Sequence, residues 1–258
     1  MVNTHPIKLV VWCIIRGEGK MTHRSTPSEA GLFSPQLLAS QQKVLYSVMK
    51  RAFDLVLALT LTLFSLPLML LIACAIFIES PTSPILSQRR IGRGGKPFNF
   101  YKFRSMRPAP QDDKHRNFMK VYINDYVNGD EGSMEPAQED VIFKPQENNR
   151  VTRVGRLLRK TSLDELPQLF NIILGDMSFV GPRPPIFYEV EEYKAWHFRR
   201  FETQPGITGL AQINGRSQIP FAEIVRWDIR YIENQSLFLD MMILLRTVPA
   251  VLLGKGSG

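Results

Sequence analysis

With 258 residues, the chain has enough material for one well-buried core, so a single catalytic unit is expected. Its formal charge of +8 and pI of about 9.6 point to an anionic partner: a nucleic acid, a lipid surface or a phosphorylated small molecule. The only cysteines are Cys13 and Cys74, which excludes a disulfide scaffold and a cysteine zinc cluster and makes a reducing, cytosolic setting the simplest.

The apolar stretch 9–15 ends at Arg16, is too short to cross a bilayer and lacks a small-residue cleavage site, so no signal peptide is read there. Residues 16–42 are polar and contain Pro and Ser, and 1–43 are therefore taken as a loose N-terminal lead-in. A membrane element follows over 44–80. From Leu55 to Ile78 run 24 residues without a charge, enough for a hydrocarbon layer of about 30 Å at about 1.5 Å per residue. Pro67 lies in the middle; it removes a backbone donor and crowds the preceding turn, so a kink or reversal is expected. Cations flank both sides, Lys43, Lys50 and Arg51 before and Arg89, Arg90, Arg93 and Lys96 after. Charge asymmetry therefore does not choose between a kinked span and a re-entrant hairpin. Lys50 and Asp54, four apart, share a helix face at the interface.

The catalytic portion is expected over 81–254. Short strands at 84–91 and 97–103, joined by Gly92-Arg93-Gly94-Gly95, predict a β-hairpin. Between Arg89 and Arg107 lie seven Lys/Arg and no acid, Lys102 and Arg104 among them. These charges suit phosphate oxygens and anionic lipid headgroups alike. Residues 111–149 reverse the balance, with nine acids against four Lys/Arg, and read as a partly flexible insertion. Arg150, Arg153, Arg156 and Arg159 then recur every three residues, which places most of them along one side of a helical segment.

That row leads into Thr161-Ser162-Leu163-Asp164-Glu165-Leu166-Pro167. Neighbours on a helix are about 100° apart, so Asp164 and Glu165 cannot both point at one atom. One can attack or position a phosphorus centre while the other holds a divalent cation. A structural alternative competes: Ser162 and Glu165 fit the S-x-x-E capping box, in which both acids only favour a helix N-terminus. A helix is expected over 166–174. In Gly181-Pro182-Arg183-Pro184-Pro185 three prolines fix the backbone, which either presents Arg183 rigidly to an oxyanion or makes a plain polyproline connector. An aromatic-rich helix is expected over 187–203, with His197 a packing partner and not a catalyst. A glycine-containing loop over 205–216 carries Arg216, and amphipathic helices follow at 221–233 and 237–253, the last lying against the bilayer or the core.

In this order, several segments resemble the bacterial sugar transferases, the monotopic polyprenyl-phosphate phosphoglycosyl transferases. They are Lys50-Arg51-Ala52-Phe53-Asp54, the proline-bearing membrane helix, Tyr101-Lys102-Phe103-Arg104-Ser105-Met106, the run from Arg159 to Gln168, Gly175-Asp176-Met177-Ser178, Gly181-Pro182-Arg183-Pro184, the run from Pro205 to Leu210, and Asn214-Gly215-Arg216. The likeness covers residues 44–254. It implies a mixed α+β, mostly helical fold: a compact cytosol-facing catalytic domain with a small β-hairpin and one proline-broken re-entrant helix in the bacterial cytoplasmic membrane. It further implies transfer of a sugar phosphate from a UDP-sugar to polyprenyl (undecaprenyl) phosphate, release of UMP, and Mg²⁺ as cofactor. Membrane lipids, and no nucleic acid, are the remaining implied partners, and a homo-oligomer is left open. Under the resemblance Asp164 attacks the β-phosphorus to form an acyl phosphate and Glu165 holds Mg²⁺. Lys102, Arg104, Arg159 and Arg183 stabilise phosphate oxygens, Arg216 contacts the nucleotide, and Asp176 supports the metal or orders an arginine. The chain departs from many relatives in having Leu66, not serine, directly before Pro67, with Ser65 one position earlier. The insertion and the first 40 residues lie outside the likeness, and the sugar is not legible, because specificity resides in loop shape.

Two other readings use the same residues. A membrane-tethered nucleotide or lipid-phosphate hydrolase would form UMP without a lipid phosphate. A noncatalytic scaffold binding anionic lipid would keep its cellular function in Asp164→Asn.

Overall fold

The computed structural model describes residues 35–107, 113–124, 150–215 and 219–252. The chain divides into a first unit ending at Lys50 and a second running from Arg51. Helix α1 (Pro35–Glu79) starts well before the expected residue 44, and its helical geometry continues through Pro67 without interruption. A single proline removes one donor only, and in apolar surroundings the remaining backbone groups stay paired within the helix. Among the described residues this is the one helix long and apolar enough to cross a membrane. No residue from Leu59 to Leu68 is buried, and Leu63 and Phe64 are 70% and 77% exposed.

Strands β1 (Ile85–Ile91) and β2 (Pro97–Phe103) form the expected antiparallel hairpin, with Leu86 opposite Lys102 and Arg90 opposite Phe98. Helix α2 (Asp113–Asn124) falls within the segment read as an insertion; the remainder of that expectation lies outside the described residues. Helix α3 (Arg153–Thr161) is capped by Thr152, whose Oγ1 accepts from Gly155 N at 2.9 Å. A Cβ on Gly155 would sit 2.1 Å from the Ser105 carbonyl oxygen, so α3 meets the end of β2 backbone to backbone. Arg150 precedes the helix, leaving only Arg153, Arg156 and Arg159 on it. After a 3₁₀ turn at Leu163–Glu165 come α4 (Gln168–Leu174) and β3 (Ser178–Val180).

The expected helix over 187–203 is instead a short α5 (Phe187–Val190) and a separate 3₁₀ stretch, Ala195–Glu202. The break brings both Tyr193 and Arg200 inward, where the Arg200 guanidinium bonds the Tyr193 hydroxyl. His197 restarts the chain direction by accepting the Lys194 N–H on Nδ1 at 3.1 Å. Within the expected loop at 205–216, β4 (Gly206–Thr208) pairs in parallel with β3, Ser178 opposite Gly206 and Val180 opposite Thr208, before the short α6 (Leu210–Ile213). Three-residue strands show no periodicity for a sequence to reveal. Helices α7 (Phe221–Glu233) and α8 (Leu237–Leu252) match their expected ranges closely. They are joined by the Tyr231 hydroxyl donating to Asp240 Oδ1 at 2.7 Å, while Phe238 on the other side of α8 is 82% exposed.

Both ends of the 51–79 part of α1 are fastened to this domain. Arg51 Nη1 and Nη2 donate to the Ile172 and Ile173 carbonyls at 2.6 and 3.0 Å, closing the C-terminus of α4. Asp54 Oδ1 accepts from Phe179 N at 3.3 Å. At the far end, Glu79 accepts from Arg153 N at 2.6 Å and Val154 N at 2.9 Å, placing a carboxylate on the N-terminus of α3. Ala58 joins the main core with Phe100, Ile172 and Tyr231, and Met69, Ile72 and Ile76 join a second with Phe103 and Leu158.

Candidate active site

The acid pair occupies the first turn of a 3₁₀ helix, Leu163–Glu165, that leads into α4. Ser162 ends α3 in the left-handed region at φ 56°, ψ 17°, the one non-glycine residue with positive φ among the described residues. That turn swings Leu163–Glu165 off the α3 axis as a 3₁₀ turn, and no Ser162 side-chain cap forms. The Ser162 side-chain cap of the expected capping box is therefore missing, although both acids keep their place at a helix start, and a strained backbone stands just before them, a conformation that costs on the order of 1–3 kcal/mol and clusters at functional sites.

Strand β2 packs against this turn. Asn171, fully buried in α4, fixes the strand: its Oδ1 accepts from Tyr101 N at 3.0 Å and its Nδ2 donates to Asn99 O at 2.6 Å. Lys102, the next residue, is thereby set beside the acids. Residues opposite one another in an antiparallel pair share a face, so Lys102, Phe100 and Arg90 stand on one side of the hairpin. The Arg90 guanidinium lies 4.7 Å from the Phe100 ring centroid.

Charge ties these groups into one site. Burial, then the neighbouring Glu165, raises the Asp164 pKa from its ordinary 3.8 to about 6, against the opposing pull of Lys102 and Arg159. The Lys102 ammonium is held below its usual value by burial, then by Arg90, Arg183 and Arg159, with Asp164 opposing. Arg90 is lowered to about 10 by burial and then Arg183, while Glu189, Tyr188 and Glu165 oppose. Lys102, Arg90, Arg159 and Arg183 thus repel one another around two carboxylates, an arrangement that a ligand carrying several negative charges relieves.

Arg183 is exposed between buried prolines. Proline offers no N–H, so the carbonyls from Pro182 to Pro185 take donors from outside: Pro182 O from Gly206 N at 2.9 Å, Arg183 O from Arg200 Nη2 at 3.3 Å, Pro184 O from Arg90 Nη1 at 2.6 Å and Pro185 O from Ile91 N at 3.1 Å. A Cβ on Gly206 would meet Gly181 N at 2.1 Å, so β3 and β4 approach there only as bare backbone. The polyproline-connector reading gives way to a loop pinned at each residue.

Asp164, Glu165, Lys102, Arg159 and Arg183 are brought together as expected. Arg104 is not: past the end of β2 its side chain turns away, and Nε donates to Ser83 O at 2.8 Å. Asp176 follows the C-terminus of α4 while the acid pair precedes its N-terminus, so a helix of about 10 Å separates them. Arg216 lies outside the described residues. Arg90, Asn171, Arg200 and Asp228 went unrecognised in the sequence; the one signal was a polar Asn171 inside an apolar helix. His197 is buried against Tyr193, Trp196 and Phe221 and pushed down to about 4 by burial, Arg200 and Lys194, so it stays neutral and packs.

Among the described residues no group of three or more His, Cys, Asp or Glu could cage a metal. The single carboxylate of Glu165 nonetheless fits Mg²⁺, a hard cation that takes one or two carboxylates and completes its shell with water and substrate phosphates.

The chain is 40% identical over 208 residues to the exopolysaccharide production protein ExoY of Rhizobium meliloti (strain 1021), covering 81% of this chain and 87% of that one. It is 39% identical over 218 residues to the UDP-glucose:undecaprenyl-phosphate glucose-1-phosphate transferase of Caulobacter vibrioides, covering 81% and 72%. With the galactosyl transferase CpsE of Streptococcus agalactiae it shares 43% over 174 residues, 67% of this chain but only 35% of that protein. The sequence model of the bacterial sugar transferases matches residues 45–254. On that match and these relatives, the chain belongs to the bacterial sugar transferase family and is a transferase.

Proposed function

We propose that this transferase moves a sugar phosphate from a UDP-sugar to a polyprenyl phosphate, undecaprenyl phosphate in bacteria, releasing UMP, at a membrane step that starts a polysaccharide or glycoconjugate. The observation that carries the reading is the half-buried Asp164 carboxyl, displayed on the 3₁₀ turn that follows the left-handed Ser162 and raised to about 6 among Lys102, Arg159, Arg183 and Arg90. Such a group is ionised at neutral pH yet more basic than an ordinary aspartate, which suits a nucleophile at phosphorus.

An Asp164 oxygen attacks the β-phosphorus, the bond from that phosphorus to the oxygen bridging the α-phosphate breaks, and UMP leaves with the electron pair. An oxygen of the lipid phosphate then attacks the same phosphorus and the bond to Asp164 breaks, restoring the carboxylate. Lys102, Arg159 and Arg183 bind the phosphate oxygens throughout. Glu165 would hold Mg²⁺, which when bound neutralises charge on the diphosphate.

A membrane acceptor is supported by α1. Arg51 and Asp54 near one end and Glu79 at the other bond to one catalytic domain, with the lipid-suited stretch 59–68 between them. A straight crossing would carry the two ends to opposite sides of the bilayer, so we read the helix as re-entrant, bent near Pro67, with the domain on the cytoplasmic face. This also favours lipid phosphate over water, against the hydrolase. In sealed inside-out vesicles, single cysteines at Ala52 and Ile85 should both react with an impermeant maleimide; labelling of only one would exclude the hairpin.

The decisive experiment incubates the protein with a UDP-sugar radiolabelled in the sugar. Label retained on a peptide containing Asp164, absent in Asp164→Asn and chased by undecaprenyl phosphate, is expected. UMP released in continuous turnover without lipid would establish the hydrolase instead.

A further inference from the structure

Across Tyr188 from Arg90 lies a cavity of about 350 Å³, lined by Arg116, Asn117 and Lys120 of α2 and by Tyr188 and Glu192. Its size falls in the range of small-molecule sites. The fold sets its place. Arg90 pairs backbone to backbone with Ile186, two residues before Tyr188, so the cavity begins where the catalytic cations end. Helix α2 is fastened over the same segment by Arg116 to Glu191 at 2.9 Å and Asn124 Nδ2 to Glu192 Oε2 at 2.8 Å. Tyr188 stands between the two groups, its hydroxyl acted on by the charges of both Arg90 and Arg116.

We infer that this cavity receives the UMP half of the donor, with α2 forming its wall. The inference rests on the transfer proposed above and adds where the leaving group sits. Arg116, held by Glu191 at 2.9 Å, and Lys120, 4.0 Å from Glu192, keep donors beyond these pairs; they have little to offer a neutral hexose but match the α-phosphate that follows the attacked β-phosphorus. The Asn117 amide can accept the uracil N3–H and donate to O4, the Tyr188 ring offers a face for the base, and the Glu192 carboxylate can accept from the ribose diol. The helix at 113–124 is then part of the donor site and not a neutral insertion.

UMP itself is the probe. The full-length protein in detergent or nanodiscs should bind UMP by calorimetry, and UMP should compete with the UDP-sugar. Arg116→Glu, Lys120→Glu and Asn117→Ala are each expected to weaken UMP binding and raise the donor KM by tenfold or more, leaving the KM for undecaprenyl phosphate unchanged. Asn117→Asp should narrow the preference for UMP over CMP. If Arg116→Glu fails to fold, Asn117→Ala, which removes no ion pair, carries the test. Wild-type UMP affinity in the variants with turnover intact would overturn the subsite while leaving the transfer standing. A changed ranking of UDP-glucose against UDP-galactose at constant UMP affinity would also overturn it, assigning the cavity to the sugar. Failure of the wild type to release any UMP from UDP-sugars would sink the transfer itself.

Discussion

Arg200 Nη2 donates to the backbone carbonyl of Arg183 at 3.3 Å, so the arginine displayed to the ligand is held from behind by one that never reaches it. Arg200 is itself fixed, Nε to Asp228 Oδ2 at 2.7 Å and Nη1 to the Tyr193 hydroxyl, with Arg200 and Asp228 only 6% and 1% exposed. Removing one member of a buried ion pair strands the other and costs about 3–5 kcal/mol. Asp228→Asn should therefore lower stability on denaturant unfolding by roughly that amount. Arg200→Lys keeps the charge but loses the fork, and should raise the donor KM about tenfold while the lipid KM stays constant. Equal effects on both substrates would show general loosening and not control of Arg183.

The Asp164 pKa fixes an acid limb. The proposed attack requires the carboxylate, so kcat/KM should rise with pH through about 6 and level above it. Glu165→Gln removes a charge that raises this pKa, so in whatever activity remains the limb should move to lower pH. Lys102→Met removes an opposing one and should move it upward, together with a loss of activity on the order of 100-fold for a phosphate ligand. A pH profile unmoved by either variant would detach the limb from Asp164.

The same shift makes a stability prediction. A carboxyl whose folded pKa lies above its ordinary 3.8 favours the folded state only while protonated; that contribution is complete below pH 3.8 and lost as pH rises through about 6. Asp164→Asn should therefore be inactive yet more stable than wild type at pH 7–8, by on the order of 1–3 kcal/mol, with the gain vanishing below about pH 4. Thermal unfolding at both pH values decides it.

Glu79 joins the end of α1 to the start of α3 through the N–H groups of Arg153 and Val154. Glu79→Ala should cost about 1 kcal/mol, the worth of a helix cap, and Glu79→Gln less, since the amide oxygen still accepts. Hydrogen exchange at Arg153 and Val154 should quicken in the alanine variant; unchanged exchange would mean that Thr152 alone suffices as cap.

The β-hairpin, the apolar helix and α7 and α8 were legible because each repeats a local pattern: a glycine turn between alternating strands, a charge-free run, an amphipathic period. The acid pair was legible as chemistry and as a helix start, but not in the backbone that leads into it. S-x-x-E is also the signature of a helix start, and nothing local announces that Ser162 adopts φ 56°. The 187–203 segment reads as one helix for the same reason: nothing local announces that Arg200 turns inward to Asp228, distant in sequence.

The chain's order and composition alone gave Asp164, Glu165, Lys102 and Arg183 amid excess positive charge, and a charge-free apolar run before them. Only the tertiary structure decided which cations count. Arg104 turns to Ser83, Arg90 enters from the opposite strand, and Arg200 supports Arg183 from across the core. The physical reason is that charge acts through space, so membership of the site depends on strand pairing, burial and a carbonyl's need for a donor, none of which is local in sequence.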